Sequence, residues 1–272
     1  MKIQEILQTR FESQKNTAIS DYFRLQDQFA IARQSFDQGR RIFRGLMYDG
    51  LYMYQPQMSP GSRKSANTQN WYTLIMDNTP EWSHFPKRSA SVICSTDTDY
   101  AAEFGNVYTV LPFGDPLIGI CPKEDIWHSF PSLDALGISL ETLNEIIEAL
   151  YETYFEDGEL DDTNWLYFTN GLKKLTRKIL RKPQESFLDY VNEFQDLVIS
   201  KKDVLTVLRE LLNPQKAGFQ TARLSEWKPK PLTEIWFTAP AFFINYSEII
   251  PVDQGIDAKI KGFSDKEIGK SS

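Results

Sequence analysis

The chain has 272 residues, of which 41% are hydrophobic and 25% charged; these are the proportions of a folded globular protein and exclude a low-complexity chain. A net charge of −7 excludes a chain that coats nucleic acid non-specifically, because phosphates repel an acidic surface, although a local basic face stays compatible with a polynucleotide. Two cysteines, Cys94 and Cys121, exclude a disulfide scaffold and fit a reducing compartment; with His84 and His128 they make no zinc spacing, so no metal is expected.

The first residues, Met1-Lys2-Ile3-Gln4-Glu5, lack the basic and apolar regions of a signal peptide. No apolar run approaches the ~20 residues of a membrane span. A cytoplasmic protein with no membrane partner is expected.

Residues 3–38 are predicted helical, with Ile3, Ile6, Leu7 and Phe11 and then Phe29, Ala32 and Phe36 at helical spacing, and Gly39 as the stop. Arg40 to Leu46 then has strand character, with Ile42, Arg44 and Leu46 on one face and Phe43 and Gly45 on the other. Residues 55–70 form a long polar loop that includes Ser62, Arg63, Ser65, Asn67 and Asn70; it either stays solvated or covers a ligand. Three strands follow, at Ser91–Cys94, Val107–Leu111 and Leu117–Ile120, the last two joined by a turn at Phe113-Gly114-Asp115-Pro116.

From 139 to 212 the pattern is helical. Ser139 caps a helix burying Leu143, Ile146, Ile147, Leu150, Tyr151 and Tyr154. A second helix places Phe187, Tyr190, Val191, Phe194 and Val198 on one side, and a third runs from Asp203 to the Asn213-Pro214 step. Between the first two, Lys173, Lys174, Arg177, Lys178, Arg181 and Lys182 make a basic stripe on a helix. It faces solvent or the acidic stretch of Glu152, Glu156, Asp157, Glu159, Asp161 and Asp162, or it docks a nucleic acid or an acidic protein. A polar loop follows, and Glu234 to Asn245 returns to strand; the tail from Lys266 to Ser272 is polar. The order of helix, strands, helices and strand predicts an α+β class.

Three separated motifs carry the chemistry. In Ile42-Phe43-Arg44-Gly45-Leu46 an arginine inside an apolar strand needs a matching charge, supplied by an anionic ligand or by a protein carboxylate. Glycine after it lets a ligand approach the backbone. In Ser91 to Asp97 a strand ends in Ser95-Thr96-Asp97, followed by Ala101 and Phe104; those polar groups line a cleft or cap a helix. In Thr233-Glu234-Ile235-Trp236-Phe237, with Phe243 nine positions after Glu234, a glutamate opens an apolar strand, in a cleft or at a solvated end.

Taken together and in this order, Phe43-Arg44-Gly45, Ser95-Thr96-Asp97 with Ala101 and Phe104, and Glu234-Ile235-Trp236 with Phe243 resemble the arginine–serine–glutamate class of ADP-ribosyltransferases. The resemblance covers about residues 40–122 and 215–250. It implies an ADP-ribosyltransferase-like split β-sandwich with an N-terminal helical region at 1–39, the two halves of an NAD-binding catalytic core at 40–134 and 214–272, and a helical insertion at 135–213. It further implies an enzyme that cleaves NAD, used as a co-substrate without metal, and transfers ADP-ribose to a macromolecular acceptor, protein or nucleic acid. Toxins and phage proteins that modify host machinery use this chemistry.

By the same resemblance, Arg44, Ser95 and Glu234 are the catalytic residues. Arg44 grips the phosphates, the Gly45 backbone holds the nicotinamide amide, Ser95 and Thr96 help to bind NAD, and Glu234 bonds the ribose 2′-hydroxyl. Lys87-Arg88 is a weaker phosphate candidate, on an exposed segment. The loop before Glu234 is the acceptor region, with Trp227 and Glu226 as its candidates; packing against the helical insertion is the other account of Trp227. Two positions depart from the pattern: Asp97 stands in place of the second serine, and Leu232 stands where arginine-modifying members carry glutamate. The second departure argues against arginine as the acceptor. It leaves nucleobases, other side chains or water, so an NAD glycohydrolase is an alternative, as is a non-catalytic binding or assembly protein that keeps the fold.

Overall fold

Helix and strand signals translate into nine α-helices and eight strands among the described residues. In chain order these are α1 (Ala30–Asp37), β1 (Phe43–Leu46), β2 (Tyr52–Gln55), α2 (Trp71–Asn78), β3 (Val92–Ser95), α3 (Thr98–Ala102), β4 (Asn106–Pro112), β5 (Leu117–Ile120), α4 (Pro131–Asp134), α5 (Leu140–Tyr154), α6 (Trp165–Arg181), α7 (Asp189–Lys201), α8 (Val204–Leu211), α9 (Pro214–Ala217), β6 (Gln220–Arg223), β7 (Glu234–Phe237) and β8 (Ala241–Asn245). The structure is a computed structural model that describes residues 22–47, 52–55, 69–134, 136–155 and 159–245. The expected positions Ile3, Ile6, Leu7 and Phe11, the loop residues Ser62, Arg63, Ser65 and Asn67, the acidic Glu156 and Asp157, and the tail from Lys266 lie outside the described residues.

The class is α+β, built on an open antiparallel sheet in the order β2-β8-β4-β1-β3-β7-β5-β6. Among the described residues, no helix is long and apolar enough to cross a membrane. The chain divides into two compact units. One takes residues 1–59, 91–120 and 221–272, the other 60–90 and 121–220.

The first unit holds the sheet. Its core gathers Phe29, Phe36, Ile42, Val92, Cys94, Tyr108, Val110, Ile235, Phe237 and Phe243, the alternate residues of neighbouring strands that a period of two sends to one side. Gly39 ends α1 as expected: it takes φ 79°, and its N–H donates to the Phe36 carbonyl. The 234–245 stretch is two paired-in strands rather than one, because Ala239-Pro240 interrupts it and Pro240 lacks a ladder donor. β6 falls inside the expected polar loop. Three of its four residues are exposed, so no buried alternation marked it in the sequence.

The second unit is helical. α6 buries Phe168, Leu172, Leu175 and Ile179 at helical spacing, and α5 buries Leu143, Ile146, Ile147 and Leu150. Ser139 caps α5 through the Thr142 N–H, as expected, and Asp203, the expected start of the third helix, caps α8 through the Thr206 N–H. The Thr176 hydroxyl of α6 accepts the Val204 N–H at 3.1 Å, satisfying a first-turn donor of α8. Phe187 corrects the expected face of α7: it precedes the helix and is fully exposed, while Val191, Phe194 and Val198 are buried. Trp82 sits among Phe85, Phe130 and Phe219 and donates its indole N–H to the Leu212 carbonyl at 3.1 Å.

Candidate active site

Three strands that carry the separated motifs are neighbours in the sheet, in the order β1-β3-β7. Phe43 stands opposite Ser95, and Ser95 stands opposite Glu234. Residues directly opposite one another share a sheet face. Ser95 and Glu234 therefore lie side by side on one face, and both are buried.

Arg44 is one step along β1. By alternation it shares a face with Ile42 and Leu46, as the sequence pattern anticipated; that face packs with the core and is opposite to the one that carries Ser95 and Glu234, so the backbone does not bring Arg44 onto their face. Its guanidinium is half-buried and turned across the seam between β1 and β3, with Nη1 donating to the Ile93 carbonyl at 3.3 Å. That seam is short. β1 and β3 share the single register pair Phe43↔Ser95, whereas β1 and β4 share four and β3 and β7 share four. Where the strands part, a carbonyl on the β1 side of β3 loses its ladder donor, and the guanidinium replaces it.

The hydroxyls at the end of β3 are committed to local structure. Ser95 Oγ accepts the Asp97 N–H at 3.0 Å, and Asp97 in turn caps α3 by accepting the Tyr100 N–H at 2.9 Å. The cap reading of this motif is thus realised at Asp97, and a carboxylate caps as well as the serine it replaces. Thr96 is the clamp between motifs. Its Oγ1 donates to the Lys230 carbonyl at 2.8 Å and accepts the Thr233 N–H at 2.9 Å, while its own N–H donates to the Thr233 carbonyl at 3.0 Å. These bonds fix the chain immediately before Glu234. Nothing in the sequence paired Thr96 with Thr233; both hydroxyls flank motif residues, but their meeting needs the β3–β7 register.

Gly45 corrects one expectation. A Cβ there would lie 1.9 Å from the Ala101 carbonyl oxygen and 2.9 Å from Phe104 Cβ. The space that glycine leaves is filled by α3, so close helix packing, rather than approach of a ligand, is what its missing side chain serves. Phe104 stays partly exposed and stands edge-on to Tyr100.

The acceptor region also differs from expectation. Trp227 is buried in the core of the sheet unit, 2% exposed, in the same cluster as Leu224 and Phe36. It is therefore a core residue rather than an exposed acceptor contact, because an indole brings more apolar area to a core than any other side chain. Glu226 is exposed. Leu232 holds φ 49°, a left-handed conformation costing about 1–3 kcal/mol for a residue with a Cβ; its side chain stays half exposed, two residues before the buried Glu234. In the helical unit, Arg88 is buried rather than exposed, and its N–H donates to Asp77 Oδ1 at 2.6 Å.

One further buried group shares the row of Phe43, Ser95 and Glu234. Thr109 of β4 pairs with Phe43 and is fully buried, and its hydroxyl finds no partner among the described residues. No model of a known protein family matches this chain, and no curated protein or solved structure matches it.

Proposed function

We propose that this chain is an ADP-ribosyltransferase-type enzyme that cleaves NAD and transfers ADP-ribose to a macromolecular acceptor. The observation that carries this reading is the juxtaposition of motifs from three distant parts of the chain. Arg44, Ser95 and Glu234 sit on adjacent strands, with Ser95 directly opposite Glu234. The short β1–β3 seam, a single register pair beside Ser95, supports the finer fold reading of an ADP-ribosyltransferase-like split β-sandwich.

In this reading the bond between ribose C1′ and the nicotinamide nitrogen breaks, and the nitrogen keeps the electron pair, so neutral nicotinamide leaves. The ribose passes through an oxocarbenium-like state, as in glycoside cleavage. Glu234, buried at the strand opening, accepts the 2′-hydroxyl proton in a hydrogen bond and stabilises the developing cation; poor access of water strengthens that effect. Ser95 and the Thr96 clamp hold the carboxylate in register. Arg44 lies on the other face of β1 from Ser95 and Glu234, so in this reading its guanidinium, turned across the β1–β3 seam, reaches past the strand to the diphosphate with the donors that Ile93 does not use. The acceptor's nucleophilic atom then bonds to C1′ and gives up its proton.

A second reading, an NAD glycohydrolase with water as acceptor, draws on two observations. The position two before Glu234 is an apolar Leu232, and Trp227 is withdrawn into the core. Neither offers a polar handle to an acceptor side chain.

The deciding experiment incubates the purified chain with labelled NAD, with and without cell lysate or RNA, beside Glu234→Gln. Nicotinamide release that Glu234→Gln abolishes, with the variant's fold intact, supports the enzyme; label on protein or nucleic acid selects the transferase, and free ADP-ribose selects the glycohydrolase. No release and no NAD binding by the parent chain overturns both readings in favour of a binding protein.

A further inference from the structure

The helical unit carries a cationic surface that, among the described residues, no carboxylate neutralises by an ion pair. α6 buries Phe168, Leu172, Leu175 and Ile179 and exposes Tyr167, Asn170, Lys173, Lys174, Arg177 and Arg181 on its outer side. From Lys173 to Arg181 the helix rises about 12 Å at ~1.5 Å per residue. Among the described residues none of these four cations makes a salt bridge; the described ion pairs are Lys201–Glu210, Arg209–Glu81 and His128–Glu124. Within the acidic stretch, two described carboxylates are held by hydrogen bonds. Asp161 accepts from the Thr163 hydroxyl and N–H at 2.5 and 2.9 Å, and Asp162 accepts the Asn70 N–H. The helix dipole accounts for Lys178 and Arg181 in the last turn. It does not account for Lys173 and Lys174, two turns earlier.

The stripe leads into a concavity of about 380 Å³, within the range of small-ligand sites. Its wall combines Lys173, Lys174 and Arg177 with Tyr167, Asn170 and Asp161. Tyr167 is more than half exposed, so its ring face is open to a ligand in the concavity. Cations for phosphate, an aromatic face for stacking, and an amide and a carboxylate for the donors on a base edge together match one ligand chemistry. Thr163 keeps Asp161 ionised, below the ordinary carboxylate range; it would repel an acidic peptide but accept from an exocyclic amine. A base stacked on Tyr167 must be free of a duplex, which favours a single strand.

We propose that the outer face of α6 binds single-stranded nucleic acid, with phosphates along Lys173, Lys174, Arg177 and Arg181 and a base against Tyr167 in the concavity. This inference stands apart from the proposed NAD chemistry. Four phosphate contacts give a log–log salt slope near −2.8 for a single strand. Affinity then falls about 50-fold between ~50 and ~200 mM salt.

The test is fluorescence anisotropy of the full chain with labelled single-stranded RNA and DNA of mixed sequence, the matching duplex, and poly-glutamate. Single strands should bind with that slope and outcompete duplex and poly-glutamate. Lys174→Gln with Arg177→Gln should lower the slope by about 1.4, and Tyr167→Ala should weaken single-strand binding ~10-fold with the slope unchanged, since stacking is worth about 1–3 kcal/mol per base. Both variants alter exposed side chains, and an unchanged melting curve confirms their fold. The inference is overturned by absence of binding at ~50 mM salt, by equal or tighter binding of poly-glutamate or duplex, or by variants that bind as the parent does. Preference for RNA over DNA, or the reverse, identifies which strand the site serves.

Discussion

Thr96 and Thr233 exchange two hydrogen bonds that tie the end of β3 to the entry of β7: the Thr96 hydroxyl accepts the Thr233 N–H at 2.9 Å and the Thr96 N–H reaches the Thr233 carbonyl at 3.0 Å, while the same hydroxyl donates to the Lys230 carbonyl at 2.8 Å. This clamp is what places Glu234 opposite Ser95.

Removal of the hydroxyl tests it. Thr96→Val should cost about 1–3 kcal/mol, because the partly buried Thr233 N–H loses its partner, whereas Thr96→Ser should restore most of that. Urea unfolding measures both. If the NAD reading holds, Thr96→Val should also slow nicotinamide release more than Thr96→Ser does. Equal stability of Thr96→Val and the parent would show the clamp to be dispensable.

Gly45→Ala should destabilise by about 3 kcal/mol or more, at the upper end of overpacking costs. The new methyl would meet the Ala101 carbonyl oxygen at 1.9 Å, and that atom belongs to backbone. A drop of several degrees in Tm is expected; a shift within a degree would show that α3 moves freely off β1.

Thr109→Val should be neutral or slightly stabilising. Its hydroxyl is buried without a partner among the described residues, and an apolar group of the same shape removes a desolvated polar atom. Thermal melting checks the sign; a loss above ~1 kcal/mol would reveal a hydrogen bond that this hydroxyl makes after all.

Acid stability should depend on Glu81. The Arg209 side chain donates to it at 2.6 and 3.1 Å, and this holds the carboxyl below its ordinary value of 4.5 despite partial burial. A group whose pKa is lowered by folding stabilises the native state above the unfolded value and loses that contribution as pH falls through the folded one. The pair therefore contributes fully at neutral pH and fades below about pH 4.5. Glu81→Gln should cost roughly 1–2 kcal/mol at neutral pH, and the gap to the parent should close in acid. A gap independent of pH would assign the loss to packing instead.

The residues that the sequence determined by itself are those whose environment is set locally. Buried periodicity placed α5, α7 and α8, the basic repeat marked α6, a cap at Ser139 opened α5, Gly39 closed α1, and alternation put Ile42, Arg44 and Leu46 on one face of β1. β6 stayed hidden because its exposed side chains carry no period, whereas the break between β7 and β8 is written locally in Ala239-Pro240 but masked by the apolar residues on both flanks. The candidate site was legible only as three fragments. Its assembly depends on strand order and register, which follow from pairings up to nearly two hundred positions apart that no local pattern encodes. Tertiary structure alone decided that Ser95 faces Glu234, that α3 rather than a ligand occupies the space above Gly45, that Trp227 belongs to the core, and that the cations of α6 stay unmatched among the described residues. In each case the outcome turns on which distant surface fills a given volume, and close packing lets only one do so.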